Sequence, residues 1–367
     1  MASRTYAVAT SSPMPILPPG LEKRGPGREV ERGMNGNGDA RFDVLGIGNA
    51  IVDVLAQVTE DFLARHGLVK GAMRLIDEVE AHDLYQALGP TIEVSGGSAA
   101  NTIAGVASFG ARAAFIGKVR DDELGEIFAH DIRSVGVHFE TPPATEGPTT
   151  ARCLVLVTPD GERTMNTWLG ASQNLSPDDV DEDLVKDSRI TYLEGYLFDP
   201  PHAKKAFRKA ARVAREAGRK VALTLSDSFC VDRHREDFLE LIRNQVDILF
   251  ANEAEIRALY QVSNFNDAMH AVQEDCPLAV LTRSAAGSVI VEGGDDVHVI
   301  EAFPVRKVVD ATGAGDLFAA GFLAGHTQGR PVAECARMGA LAAGEIIQQM
   351  GARAIRPFHE VARENGF

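Results

Sequence analysis

Eighteen residues near the carboxyl end, VVDATGAGDLFAAGFLAG (Val308–Gly325), combine two acids with a run of small residues. Asp310 and Asp316 bracket the turn Thr312-Gly313-Ala314-Gly315, and no Lys or Arg lies within it. A glycine-rich turn leading into an apolar helix is an anion site, because first-turn N–H groups lack partners and the helix dipole is positive there. Small side chains let an oxygen come close to the backbone. Asp316 falls in the first helical turn, beside any such anion. A carboxylate there is useful if it takes a proton from an attacking hydroxyl while the amides hold the group under attack. The same residues also fit an acid that stabilises its own helix end, followed by Gly and Ala for close helix packing.

Other phosphate-binding patterns are missing. The string GARAAFIGKV has the wrong spacing for a phosphate-binding P-loop, and Val119 stands where a hydroxyl should meet magnesium. GIGNAI begins like a dinucleotide fingerprint, but Ile51 occupies the place of the third glycine. The chain of 367 residues is 45% hydrophobic and carries a formal net charge of −15, which speaks against nonspecific binding to nucleic acid or an anionic membrane. Any anionic small ligand must therefore find its countercharge locally. Cys153, Cys230, Cys276 and Cys335 are scattered without a CxxC pair, as in a protein of a reducing compartment. No run of eighteen apolar residues is present. A cytoplasmic location is expected.

The elements that must position these residues alternate. Residues 1–40 are rich in Pro, Gly and charge and are expected to be a disordered extension, with the folded domain spanning 41–367. Strand-like RFDVLGIG, AAFIG, RITYLEG, KVALTLS, VDILFAN and LAVLTRS are interleaved with helix-like AANTIAGVASFG, DDELGEIFAHDIRSVG, PHAKKAFRKAARVAREAG and EAEIRALY. Strands separated by helices predict a parallel sheet covered on both faces, with ligands at the carboxyl ends of the strands. AIVDVLAQV with AMRLID, and TARCLVLVTPDGERTMNTWLG with a turn at Pro159-Asp160-Gly161, read as β structure without intervening helices. They predict a small β lid, from about 53–77 and 145–170, laid over those strand ends.

Three motifs in order make the pattern specific. DATGAGDLFAAGF resembles the carboxyl-terminal signature of the ribokinase-like (PfkB) carbohydrate and nucleoside kinases, and GGSAANTIAGVASFGARAAFIGKVRDDELG (Gly96–Gly125) resembles their amino-terminal signature. NEAE (Asn252–Glu255) is similar to the family's NxxE element. The resemblance runs from about Arg41 to the end. It implies an α/β fold, a three-layer α/β/α sandwich with a mostly parallel central sheet and a small β-sheet lid. GIGNAIVDV, LEGYLFD, LTRSAAGSVI and QQMGAR further resemble the adenosine kinase branch, so adenosine is the expected acceptor and a sugar such as ribose or fructose the alternative. A nucleoside-binding protein without activity is a third reading, which the intact Asp316 and Gly-Ala-Gly turn oppose.

The resemblance also implies roles. Asp316 is the base that takes the 5′-hydroxyl proton, and Gly313, Ala314 and Gly315 supply amides to the transferring phosphoryl group of ATP. Asn252 and Glu255 organise Mg²⁺ and phosphates through waters, although an Asn cap with acids in the first turn explains NEAE on helix chemistry alone. Asp53 and Asn101 hold ribose hydroxyls with Gly97 and Asn49, and Arg152 on the lid lies near substrate and phosphates. Met73, Leu75, Trp168 and Tyr196 are further candidates to face the base, with core packing the competing role. Thr282 and Gly287 line the ATP site, where Ser284 departs from the glycine frequent in ribokinases. Asp310 and Thr312 match positions whose backbone binds a monovalent cation in some relatives, so K⁺ is an optional second ion. Partners are small molecules, and the lid permits either a monomer or a homodimer.

Overall fold

The computed structural model describes residues 40–293 and 296–367, and the stretch expected to be an amino-terminal extension lies outside the described residues apart from Ala40. Residues 40–367 form one compact unit. The strands begin with β1 (Phe42–Ile47), β2 (Ile51–Gln57), β3 (Met73–Leu75), β4 (Ile92–Gly96), β5 (Ala113–Ile116), β6 (Val137–His138), β7 (Ala151–Val157) and β8 (Arg163–Trp168). They continue with β9 (Ser188–Glu194), β10 (Lys220–Thr224), β11 (Ile248–Asn252), β12 (Leu278–Thr282), β13 (Ser288–Glu292) and β14 (Asp296–Ile300). The helices of the first half are α1 (Glu60–Arg65), α2 (Glu78–Ala87), α3 (Ser98–Ser108), α4 (Glu123–Ser134) and α5 (Glu182–Lys186). Those of the second half are α6 (Pro201–Glu216), α7 (Ser228–Gln245), α8 (Glu253–Tyr260), α9 (Phe265–Asp275), α10 (Ala314–Thr327), α11 (Val332–Ile346) and α12 (Phe358–Glu364).

Nine strands form the central sheet in the order β14-β13-β12-β11-β10-β9-β1-β5-β6. The run from β12 to β6 is parallel, and β13 and β14 close one edge as an antiparallel hairpin. Adjacent strand residues serve opposite faces. Val44, Tyr192, Ala222 and Phe250 enter one core with the apolar faces of α3, α10 and α11, while Leu45, Leu193, Leu223 and Leu249 enter a second core with α6, α7 and α8. That two-sided burial is why these strands read as continuous apolar runs. The result is the expected three-layer α/β/α sandwich.

The second sheet is the lid, in the order β3-β8-β7-β2-β4. It differs from expectation in two ways. Helix α1 separates β2 from β3, started by the Thr59 side chain accepting from Phe62 N at 3.2 Å. Strand β4 adds an edge to the lid beyond its expected limits and pairs antiparallel with β2. Helix α7 was also not legible as a helix. It bends at His234 (φ −125°), so its apolar period is interrupted.

Helices α10 and α11 approach at glycines. A Cβ on Gly321 would lie 2.5 Å from the Met338 carbonyl oxygen, and one on Gly339 would lie 2.6 Å from that of Phe318. Backbone cannot step aside as a side chain can, so the fit fixes the axis of α10 and with it the position of Asp316. Gly321→Ala is expected to cost about 1–3 kcal/mol through overpacking, measured as a lower urea midpoint. An unchanged midpoint would mean that the helices part without penalty.

Candidate active site

A cavity of about 420 Å³ opens where the carboxyl ends of β9 to β12 meet the lid and the amino end of α10. Its lining brings together Asp53, Gly97, Asn101, Asn252, Glu255, Thr282, Thr312, Gly313, Ala314, Gly315 and Asp316. These residues come from five segments spread over more than 260 positions. Tyr196 also lines the cavity.

At its floor, Gly313 takes a left-handed conformation (φ 77°, ψ 1°) and caps α10. A side chain there would meet the Ala352 Cβ at 2.5 Å, so both φ and space demand glycine. At Gly315 an added Cβ would meet nothing within 4 Å, because that point faces open cavity. The Ala314 amide donates to the Ala311 carbonyl at 3.2 Å, which draws it partly away from a ligand. The following first-turn amides, of Gly315 and Asp316, have no acceptor within the helix. The cradle is therefore built more from Gly315 than from Ala314.

Asp316 lies against α3. Ser98 Oγ donates to one carboxylate oxygen at 2.7 Å and Asn101 Nδ2 to the other at 3.0 Å. Burial pushes the Asp316 pKa up, while these two bonds and the Arg353 guanidinium pull it back. Asn101 thus serves the acid directly, and its Oδ1 remains a buried acceptor without a protein partner. Ser98 was not among the residues expected here. Its spacing of three from Asn101 on one helix was the available signal, since such pairs share a face.

Asp53 approaches from the lid. A Cβ on Gly96 would sit 2.5–2.8 Å from the Asp53 carboxylate atoms, and one on Gly97 (φ +98°) would sit 2.2 Å from the Asn49 carbonyl oxygen. The glycine pair is therefore required by protein packing before any ligand binds. Burial pushes the Asp53 pKa up to about 6, opposed by Arg353 and Arg163 and reinforced by Asp316.

Several expected residues stand elsewhere. Asn49 is buried outside the cavity lining, where its Nδ2 donates to Glu194 Oε1 at 2.6 Å and its Oδ1 accepts from Ser172 Oγ at 2.9 Å. Its polar atoms are already engaged, and it braces the strand carrying Asp53. Arg152 faces the other side of the lid, its guanidinium 5.5 Å from the centre of the Tyr85 ring. Strand alternation is the reason: its neighbour Cys153 registers with Asp53 and Thr167, and those three line the cavity. Gly287 forms a corner (φ 82°) against the Ile300 carbonyl rather than lining the cavity. Ser284, the departure from glycine, has positive φ (50°). Trp168 Nε1 is tied to Thr149 Oγ1 at 3.1 Å, and Met73 and Leu75 are exposed at the lid edge.

The lid arginine at the cradle is Arg163. Its Nη1 lies 2.6 Å from Asp310 Oδ2 and 3.4 Å from Thr312 Oγ1. Asp310 also accepts from the amides of Thr312 at 3.0 Å and Gly351 at 2.9 Å. A cation of the chain's own thus meets the Asp310 carboxylate, beside the backbone where a monovalent ion was the option. Strand alternation places Arg163 on the face of Thr167, four residues on. Glu194 was missed as well. Buried at the end of β9, it accepts from the Ala99 amide at 2.7 Å and from Asn49, and burial pushes its pKa up to about 7. An acid closing an apolar strand was the signal.

Asn252 and Glu255 form a reciprocal cap at the start of α8. The Asn252 amide donates to Glu255 Oε2 at 3.0 Å and the Glu255 amide to Asn252 Oδ1 at 2.9 Å. Burial lifts the Glu255 pKa to about 7. The helix cap foreseen for this motif is present, and both of its residues line the cavity.

A mostly parallel α/β sandwich with a β lid over an acid and a glycine cradle defines a kinase of the ribokinase-like fold. The chain belongs to the pfkB family of carbohydrate kinases, whose sequence profile matches residues 72–358. It is similar to the solved adenosine kinase of Sinorhizobium meliloti, with 54% identity over 89% of this chain and 100% of that one and a TM-score of 0.82. It is equally similar in fold to a probable sugar kinase of Rhizobium etli, with 51% identity, 89% and 99% coverage and a TM-score of 0.82. Among curated proteins, the adenosine kinase of Saccharomyces cerevisiae is 28% identical over 83% of this chain and 94% of its own length.

The raised pKa of Asp53 gives a pH prediction. A carboxyl group whose folded pKa exceeds its unfolded value of 3.8 stabilises the fold fully below 3.8, and that contribution is lost as pH rises through about 6. Asp53→Asn removes the buried charge. It should be more stable than the parent above pH 6, by about 1–2 kcal/mol after allowing for solvent, with the advantage vanishing near pH 4. Thermal midpoints at the two pH values check this. An advantage of equal size at both would mean that the Asp53 charge is not its source.

Proposed function

We propose that the protein transfers the γ-phosphoryl group of ATP to the 5′-hydroxyl of adenosine, giving AMP and ADP. The observation that carries this reading is Asp316, held between Ser98 and Asn101 at the mouth of an amide cradle. The similarity to adenosine kinases, one of them more than half identical, supplies the acceptor.

Adenosine lies under the lid with its ribose hydroxyls on the Asp53 carboxylate, whose two oxygens can accept from adjacent hydroxyls. The buried Oδ1 of Asn101 accepts from another donor of the ligand. Asp316 takes the proton from the 5′-hydroxyl as its oxygen forms a bond to the γ-phosphorus, and the bond from that phosphorus to the bridging oxygen of ADP breaks. Backbone amides at Gly313 and Gly315, with Arg163 beside them, stabilise the charge on the transferring group and take the place of a P-loop lysine. ATP extends from this point past Asn252 and Thr282.

Mg²⁺ fits the oxygen donors of Asn252 and Glu255. Among the described residues no group of three or more His, Cys, Asp or Glu could cage an ion, so these two would hold it through its waters and the ATP phosphates. When bound, the ion neutralises charge on the phosphates. Asp310 has Arg163 as its counter-cation, so turnover is expected without added K⁺. The protein is proposed to act in the cytoplasm, and among the described residues no helix is long and apolar enough to cross a membrane. The stretch 1–40 is proposed to lie outside the catalytic unit.

A second reading, phosphorylation of a sugar, is favoured by the similarity to a probable sugar kinase. ADP release with Mg-ATP and adenosine, against ribose and fructose, separates the two. Turnover with a sugar and none with adenosine would transfer the assignment. Asp316→Asn should lower kcat by about 10²–10⁴, with ATP still bound in a calorimetric titration. Near-parental kcat would remove Asp316 from the role of base.

A further inference from the structure

Arg353 lies in the short segment between α11 and α12, and nothing in the reaction described above uses it. Its guanidinium nevertheless reaches two distant elements. Nη2 donates to the Ser95 carbonyl at 2.7 Å and to Ser95 Oγ at 2.8 Å, and Nη1 donates to the Ala100 carbonyl at 3.0 Å. Ser95 belongs to lid strand β4, and Ala100 to the first turns of body helix α3. Between them stand Gly96 and Gly97, the joint where the chain passes from lid to body. On the far side, Asp131 of α4 accepts from the Ser95 amide at 2.7 Å and from its hydroxyl at 2.5 Å.

We propose that Arg353 is a positioning residue for phosphoryl transfer, a staple across the Gly96–Gly97 joint that keeps Asp53 in register with Asp316. Gly97 has the positive φ that side chains disfavour, and neither glycine has a side chain to lock the joint. A rotation there would swing β4, and with it the paired strand β2 that carries Asp53. The same rotation would tilt the start of α3, whose Ser98 and Asn101 hold Asp316. A rigid fork bonded to both sides resists it, whereas an ammonium could satisfy only one side well. The segment is anchored at its other end too. The Gly351 amide bonds to Asp310, and Ala352 abuts Gly313, so joint and cradle are fixed to one piece of chain.

The charge acts on the same pair of acids. Arg353 favours the ionised forms of Asp53 and Asp316. The other groups that bear on Asp316 are Ser98 and Asn101 of α3, with Asp53, Tyr192, Glu194 and Tyr196 facing it from the lid and from β9 with the turn that follows it. Arg163 bears on Asp53. Among the others only Glu194 also links the strand entering the lid to α3, through Asn49 and Ala99, and it is an acid where Arg353 is a cation.

The inference rests on the kinase reading, and two variants test it with whichever acceptor the parent turns over. Arg353→Gln is expected to raise the acceptor KM about tenfold and to move the acid limb of the kcat–pH profile to higher pH, because both acids lose a cation. Arg353→Lys should return the acid limb toward the parental position yet keep the raised KM. Hydrogen exchange, which needs no turnover, should be about tenfold faster at the amides of residues 95–100 in both variants. Parental KM and parental exchange in Arg353→Lys would overturn the proposal, and that variant decides the matter if Arg353→Gln does not fold. Failure of the parent to phosphorylate any acceptor would instead remove the kinase reading, leaving the exchange measurement to judge the staple alone.

Discussion

The structure depends on holding a half-buried carboxylate, that of Asp316, without a direct ion pair. In the proposed reaction Asp316 must be shielded enough that its proton affinity suits a sugar hydroxyl, yet ionised when that hydroxyl arrives. Bulk solvent would satisfy the second need and defeat the first. The solution is two neutral donors, Ser98 and Asn101, the positive end of α10 and a guanidinium one shell away. Each of these depends on a different long-range contact. The α10 axis rests on its glycine contact with α11, the pose of α3 on the joint with the lid, and the guanidinium on the segment after α11.

Three acids around one cavity, Asp53, Glu194 and Glu255, also have raised pKa values. Burial is the leading cause in each, so the site is costly to the fold before ligands arrive. Hydroxyls of an acceptor at Asp53 and magnesium with its waters at Glu255 would offset part of that cost. Glu194 is different. Its acceptor capacity is spent within the protein on Asn49 and Ala99, and it ties the strand that enters the lid to the helix that holds Asp316.

Much of this was legible in the residues. Apolar runs interleaved with helices implied the parallel sheet, and TGAGD following a hairpin implied the cradle and acid. What escaped depended on register and on distant contacts. Arg152 and Arg163 both lie on the lid, and composition cannot choose between them. Counting alternation outward from the Pro159-Asp160-Gly161 turn does, and it puts Arg163 toward the cradle. Asn49 was implied as a ligand contact by the resemblance of GIGNAIVDV to adenosine kinases, but its partner Glu194 lies 145 residues away. Arg353 meets Ser95 across 258 residues, with no local pattern to mark the contact. Strand β4 was hidden because its alternation is short and ends at glycines, and α7 because its kink breaks the helical period.

The central claim is that Asp316 faces the attacking hydroxyl while the amides after Thr312 face the transferring phosphoryl group. A crystal structure with adenosine and a non-hydrolysable ATP analogue tests it most directly. The account predicts the 5′-oxygen within hydrogen-bonding distance of the Asp316 carboxylate, the ribose hydroxyls on Asp53, and the terminal phosphoryl oxygens on the Gly313–Gly315 amides. A ribose turned so that its 5′-oxygen meets another group, or a terminal phosphate seated away from that turn, would contradict it.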